Sequence, residues 1–307
     1  MMRKRLKGMG VAMVTPFTTT GDVDYVALDS LVDMHLASGT DFLCVLGTTA
    51  ETPTLTKEEK RNIRKRIVEK VAGRLPILLG MGGNCTHNLV EEIKGEDLTG
   101  VDAILSVVPY YNKPSQEGIY QHYKAVALAT SLPIVLYNVP GRTGVNMLPE
   151  TVIRLAKDFE NIVAVKEASG NLQQIKTIID NTPADFDVLS GDDGLICDIM
   201  KIGGVGAITV FGNAYPKEFT EMVRHLSNAN YDKADELNTM FAEMYTLLFA
   251  DGNPAGVKSL MAHQKKIGNN LRLPLVPARA EIDEAMALAM ITLDNKLAAR
   301  ETFYHRL

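Results

Sequence analysis

A lysine closes the run "IVAVKEASG" at residues 162–170. Four apolar residues lead straight into Lys166, Glu167 stands beside it, and small residues follow. Burying an ammonium there costs several kcal/mol, roughly, unless the group is paired or neutralised. Desolvation disfavours the charged form, so the pKa of such a lysine falls and its free amine becomes a nucleophile toward carbonyl carbon, which is Schiff-base chemistry. The other reading is a structural ion pair of Lys166 with Glu167, Asp192 or Asp193, and on the strand alone both readings stand.

Imine formation also needs protons moved onto and off a carbinolamine oxygen. Tyr137, at the end of "PIVLYNVP", carries a hydroxyl able to do so, and Thr48 in "GTTAET" is able to pass the proton on. Arg142 in "GRTG" has the fork that binds a carboxylate through two hydrogen bonds. Singly, each residue has an ordinary reading: a strand-end tyrosine with a satisfied hydroxyl, a turn threonine, a surface arginine. The six histidines lack metal-ligand spacing, and "GGVG" at 203–206 precedes a strand and reads as a turn. No metal or other cofactor is implied.

To converge, these residues need strands that end together. Eight short apolar runs, beginning near residues 10, 42, 76, 103, 133, 162, 186 and 206, alternate with segments of helical spacing. One such segment is opened by the capping box Thr56-Lys57-Glu58-Glu59. Near-continuous apolar strands between amphipathic helices indicate a parallel sheet, and eight even units fit an α/β fold of the closed (β/α)8 barrel type, whose strand ends gather catalytic groups. A doubly wound open sheet fits less well, because the first unit lacks a G-x-G-x-x-G fingerprint. Period-2 alternation puts Ile162, Ala164 and Lys166 on one face and Glu167 on the other. Strand signals stop near residue 225, so the chain is divided into a barrel, 1–228, and a C-terminal helical domain, 229–307, with helices expected at 230–250, 254–267 and 281–299.

The 307 residues are 46% hydrophobic and 22% charged with a net charge of −5, and no block of five like charges occurs. That balance disfavours nucleic acid and anionic membrane as partners. No run of about 18 apolar residues marks a membrane span. The N-terminal "MMRKRLKGMGVAMVTPF" reads as an exposed basic tail and a first strand, not a signal peptide. Cys44, Cys85 and Cys197 form neither a disulfide framework nor a metal cluster, which suits reduced thiols in a cytoplasm.

Together, "GTTAET", "PYYNKP", "YNVPGRTG", "VAVKEASGN" and "LSGDD", in this order and spacing, resemble the dihydrodipicolinate synthase family of pyruvate-dependent class I aldolases, from about residue 8 to the end. The resemblance implies a barrel with a C-terminal helical domain, assembled as a homotetramer of two tight dimers. It implies that Lys166 forms an imine with pyruvate, that Tyr137, Thr48 and Tyr111 relay protons, and that Tyr111 reaches a neighbouring subunit's site. Thr49 would hold the pyruvate carboxylate, Gly191 and Ile208 would line the pocket, and Arg142 would bind the carboxylate of L-aspartate 4-semialdehyde. The implied reaction joins these two substrates into 4-hydroxy-tetrahydrodipicolinate. A sister lyase such as N-acetylneuraminate lyase is the runner-up, with Arg142 against it, and a non-catalytic barrel is the alternative of another class.

Two departures stand out. Ala50 occupies the position of the usual glycine in G-T-T-G-E, and would be strained if φ there is positive. Around the effector site of lysine-inhibited relatives this chain has Lys57, Lys60 and Asn88, whose extra positive charge and missing carboxylate disfavour a cationic amino acid, so insensitivity to lysine is expected.

Overall fold

Each apolar run forms a strand in the computed structural model, which describes residues 6–304. The strands are β1 (Gly8–Ala12), β2 (Phe42–Val45), β3 (Ile77–Gly80), β4 (Ala103–Val107), β5 (Ile134–Asn138), β6 (Ile162–Glu167), β7 (Asp187–Ser190) and β8 (Gly206–Thr209). All pair in parallel and in chain order, and β8 closes the barrel against β1. The first strand starts two residues before its apolar run, because Gly8 pairs with Gly206 and donates its N–H to Val205 O at 3.0 Å.

The first helices are α1 (Tyr25–Ala37), α2 (Lys57–Val71), α3 (Thr86–Gly95), α4 (Gln116–Ala129), the single turn α5 (Pro140–Thr143) and α6 (Pro149–Asp158). They are followed by α7 (Leu172–Asn181), α8 (Ile196–Lys201) and α9 (Pro216–Ser227). The capping box forms as the sequence indicates: Glu59 N donates to Thr56 Oγ1 at 3.1 Å, and Thr56 N to Glu59 Oε2 at 2.8 Å.

Alternation along the strands divides the core. Val11, Leu43, Val45, Ile104, Val165 and Val188 face the helices, while Phe42, Cys44, Leu78, Val135, Ala164 and Leu189 fill the barrel. Burial of such side chains contributes about 1.5–3 kcal/mol each. Gly10 is required by this filling, since a Cβ there would lie 2.1 Å from the Phe42 ring.

Three helices complete the chain: α10 (Tyr231–Ala250), α11 (Ala255–His263) and α12 (Ala280–Tyr304). They match the expected positions to within a few residues, although α11 ends four residues early and the chain from Gln264 to Arg279 runs irregularly back over the barrel. Phe211, just after β8, joins the layers by packing on Phe241 of α10 at 4.8 Å between ring centroids and on Tyr215 at 5.1 Å. The basic residues expected to form an exposed tail lie mostly outside the described residues, and Leu6, where description begins, is buried in the barrel. Among the described residues no helix is long and apolar enough to cross a membrane.

Candidate active site

The ends of β5 and β6 place Tyr137 directly beside Lys166 in register. Lys166 is only 5% exposed, and its Nζ lies 4.4 Å from the centroid of the Tyr137 ring. Ala164 beneath it is small, and Gly191 leaves it room: a Cβ on Gly191 would come within 3.0 Å of Lys166 Cε. Ile208 of β8, two strands on from β6, belongs to the same interior cluster as Tyr137 and Ala164. Cys44 is buried in that cluster too, and burial pushes its thiol up to about 11 despite the nearby lysine, so it stays protonated and inert.

The acids that an ion-pair reading would give to Lys166 are engaged elsewhere. Glu167 points to the outer face and takes hydrogen bonds from Asn138, Gln174 and Ser169. Asp193 accepts from the backbone N–H groups of Val210 and Phe211 at 3.0 and 2.8 Å, and Asp192 caps Gly194. Among the described residues, no carboxylate forms a salt bridge with Lys166.

Beyond β2 the chain turns through one 3-10 turn, Thr48–Ala50, and then Glu51 in the left-handed region at φ 54°. Ala50 is not a positive-φ position. The left-handed residues are Leu46 and Glu51 on either side, so the strain expected from alanine is absent. The fully buried Glu51 is held from the far end of the chain by one side-chain cation and one backbone N–H. Lys258 of α11, itself fully buried, makes an ion pair with it, and Arg272 N donates to its Oε2 at 3.0 Å. Burial pulls the Lys258 ammonium down to about 8 against the attraction of Glu51. Lys258 also donates to Asn270 O at 2.9 Å.

Thr48, Tyr137 and Arg142 line one cleft of about 470 Å³ at the strand ends. Lys166, Gly191 and Ile208 are not on its wall: Lys166 lies against the Tyr137 ring with Gly191 beside its Cε, and Ile208 belongs to the interior cluster. Thr49 is buried, and its Oγ1 accepts from Asn253 Nδ2 at 2.9 Å. Arg142 is exposed on α5, and its Nη2 donates to Asn253 O at 3.3 Å. Asn253, in the turn between α10 and α11, thus ties both residues to the C-terminal helices. Sequence reading missed it, since nothing local in "DGNPAG" marks a residue that contacts Thr49 from 204 positions away. Tyr111 is not brought into this cleft: it is 87% exposed, with φ 78°, and Tyr110 lines the wall instead. Lys60 also lines the cleft, whereas Lys57 and Asn88 are exposed outside it.

This fold has close counterparts. The sequence model of the Dihydrodipicolinate synthetase family matches residues 5–292. The chain belongs to the dihydrodipicolinate synthetase family. It is 60% identical to the 4-hydroxy-tetrahydrodipicolinate synthase of Phocaeicola vulgatus, over 96% of this chain and all of the relative. Among solved structures it superposes on the 4-hydroxy-tetrahydrodipicolinate synthase of Methylacidiphilum fumariolicum with a TM-score of 0.94 at 34% identity, covering 97% of this chain and 99% of the other. It also superposes on a chloride-inhibited dihydrodipicolinate synthase from Acinetobacter baumannii in complex with pyruvate, with a TM-score of 0.92 at 39% identity over 94% and 99% of the two chains.

Proposed function

We propose that the chain is a 4-hydroxy-tetrahydrodipicolinate synthase, a Schiff-base-forming lyase of the class I aldolase type that joins pyruvate to L-aspartate 4-semialdehyde on the diaminopimelate route to lysine. The observation that carries this reading is the register pairing of the buried Lys166 with Tyr137 behind a cleft that also presents Thr48 and Arg142. The amine of Lys166 attacks C2 of pyruvate. Tyr137, with Thr48, moves protons so that the carbinolamine oxygen leaves as water and an imine remains. Loss of a proton from C3 gives an enamine, which adds to the aldehyde carbon of the semialdehyde. Attack of the product's own amine on C2 closes the ring and frees Lys166.

Thr49 Oγ1 already accepts from Asn253, so its own proton is free to be donated to the pyruvate carboxylate. Arg142 takes the carboxylate of the semialdehyde, which supports a synthase over a sister lyase such as N-acetylneuraminate lyase. Gly191 and Ile208 shape the pocket around the imine. Borohydride reduction in the presence of pyruvate is expected to trap an adduct on Lys166, and its absence would overturn the enzyme reading. Turnover of N-acetylneuraminate in preference to the semialdehyde would overturn the choice of substrate.

The working form is a homotetramer of two tight dimers in the cytoplasm, with the exposed Tyr111 completing the relay of a neighbouring subunit. Mixed dimers of Tyr111→Phe and Lys166→Ala chains then recover activity that neither variant shows alone. Lysine leaves the activity unchanged, because Lys57 and Lys60 repel it and Asn88 offers no carboxylate; half-maximal inhibition at sub-millimolar lysine would contradict this.

A further inference from the structure

The two strand ends that carry the inward pair Tyr137 and Lys166 also carry an outward pair, because side chains alternate and the register that joins Tyr137 to Lys166 joins Asn138 to Glu167. Both outward residues are fully buried. Glu167 Oε1 accepts from Asn138 Nδ2 at 2.6 Å and from Gln174 Nε2 of α7 at 3.1 Å, while Oε2 accepts from Ser169 Oγ at 2.6 Å and Ser169 N at 3.2 Å. Asn138 reaches onward: its Oδ1 accepts from Met147 N at 3.0 Å and its Nδ2 donates to Asn146 Oδ1 at 2.8 Å. Asn146 in turn donates to Gln174 Oε1 at 2.8 Å. Asn146 and Met147 lie in the loop that follows α5, the turn that carries Arg142.

A buried carboxylate held by neutral groups costs several kcal/mol, roughly, that an apolar side chain would not, and burial accordingly pushes its carboxyl above the ordinary range. What the cluster supplies in return is geometry. It fixes the rotation and register of two strands one residue away from the reacting amine, and a slip of one residue would turn Lys166 out of the barrel.

We propose that Glu167 and Asn138 are positioning residues, an outer clamp that sets Lys166 against Tyr137 inside the barrel and, through Asn146, holds the Arg142 loop. This rests on Lys166 being the imine-forming residue. The test is the rate of borohydride-trapped pyruvate adduct on Lys166, with kcat and KM. Glu167→Ala lowers the trapping rate and kcat about 10- to 100-fold, the loss expected from a displacement near 1 Å, while KM for the semialdehyde stays within about threefold. Glu167→Gln, which keeps an acceptor for Asn138 and Gln174 and offers an amide to Ser169 Oγ but leaves Ser169 N without its acceptor, recovers both to within about fivefold. Asn146→Ala raises KM for the semialdehyde and leaves trapping unchanged, a split that general loosening would not give.

A folded Glu167→Ala that traps pyruvate at the wild-type rate overturns the proposal, as does a Glu167→Gln that loses as much as Glu167→Ala. If Glu167→Ala does not fold, Gln174→Leu removes one donor to the same oxygen, and a several-fold slower trapping supports the clamp while an unchanged rate refutes it. Failure of the wild-type chain to form any adduct is a different result, and bears on the function instead.

Discussion

Two fully buried carboxylates back the two halves of the cleft, and they are satisfied in opposite ways. Glu51, behind the Thr48–Thr49 turn, is held by the Lys258 ammonium and the backbone N–H of Arg272, which the C-terminal third of the chain brings in. Glu167, behind Lys166, is held by neutral amides and a hydroxyl from neighbouring elements of the barrel. The first arrangement makes one wall of the cleft depend on a long-range ion pair. The second is local and tolerates a neutral isostere, because none of its donors carries a charge that must be balanced.

Removing one partner of the ion pair should therefore have the largest effect. Lys258→Met leaves Glu51 buried and short of a counter-charge, and is expected to destabilise the chain by about 3–5 kcal/mol in urea denaturation. It is expected to weaken pyruvate binding as well, since the turn bearing Thr49 loses its support. Equal stability of Lys258→Met and the parent would mean that Glu51 needs no side-chain counter-charge and that the Arg272 N–H suffices. Acid exposes the next layer of the same wall. Glu59 accepts from Arg272 Nη2, at 2.6 Å, and this bond holds its carboxyl down to about 2 from its ordinary 4.5. A carboxyl with a lowered folded pKa contributes stability that is complete above about 4.5 and is lost as pH falls toward 2. Glu59→Gln, which keeps the capping box, should cost on the order of 2 kcal/mol at pH 7 and progressively less below pH 4. By contrast, Glu167→Gln should cost no more than about 1.5 kcal/mol, the net worth of one exchanged hydrogen bond. A loss as large as that of Lys258→Met would erase the distinction between the two walls.

The difference between the walls also separates what a reader of the sequence sees from what only folding reveals. Lys166 and Tyr137 are legible because each ends an apolar run, and period-2 alternation then places them inward and Glu167 outward. Thr48 and Arg142 are legible as polar residues just past strands. The Glu51 wall is different, for its partners come from residues 253, 258 and 272, beyond the last strand. Only a lysine in the middle of "AGVKSLMAH" hints at them, a charge in a helix buried nearly all round. The first strand's early start escapes notice for a similar reason, since Gly8 joins the ladder through Gly206 rather than through any apolarity of its own.

Ala50 gives the smallest effect and the finest test of that wall. The sequence resemblance implies a glycine there, and the expectation of strain depended on φ at residue 50. Left-handed φ falls instead on Leu46 and Glu51, while Ala50 is buried and its carbonyl accepts from Thr15 Oγ1 at 2.8 Å. Its methyl is thus accommodated, and it restricts the unfolded chain. Ala50→Gly should destabilise by about 0.5–1 kcal/mol and leave KM for pyruvate within about twofold. A glycine variant more stable than the parent would show that the ion-paired wall is under strain at this residue.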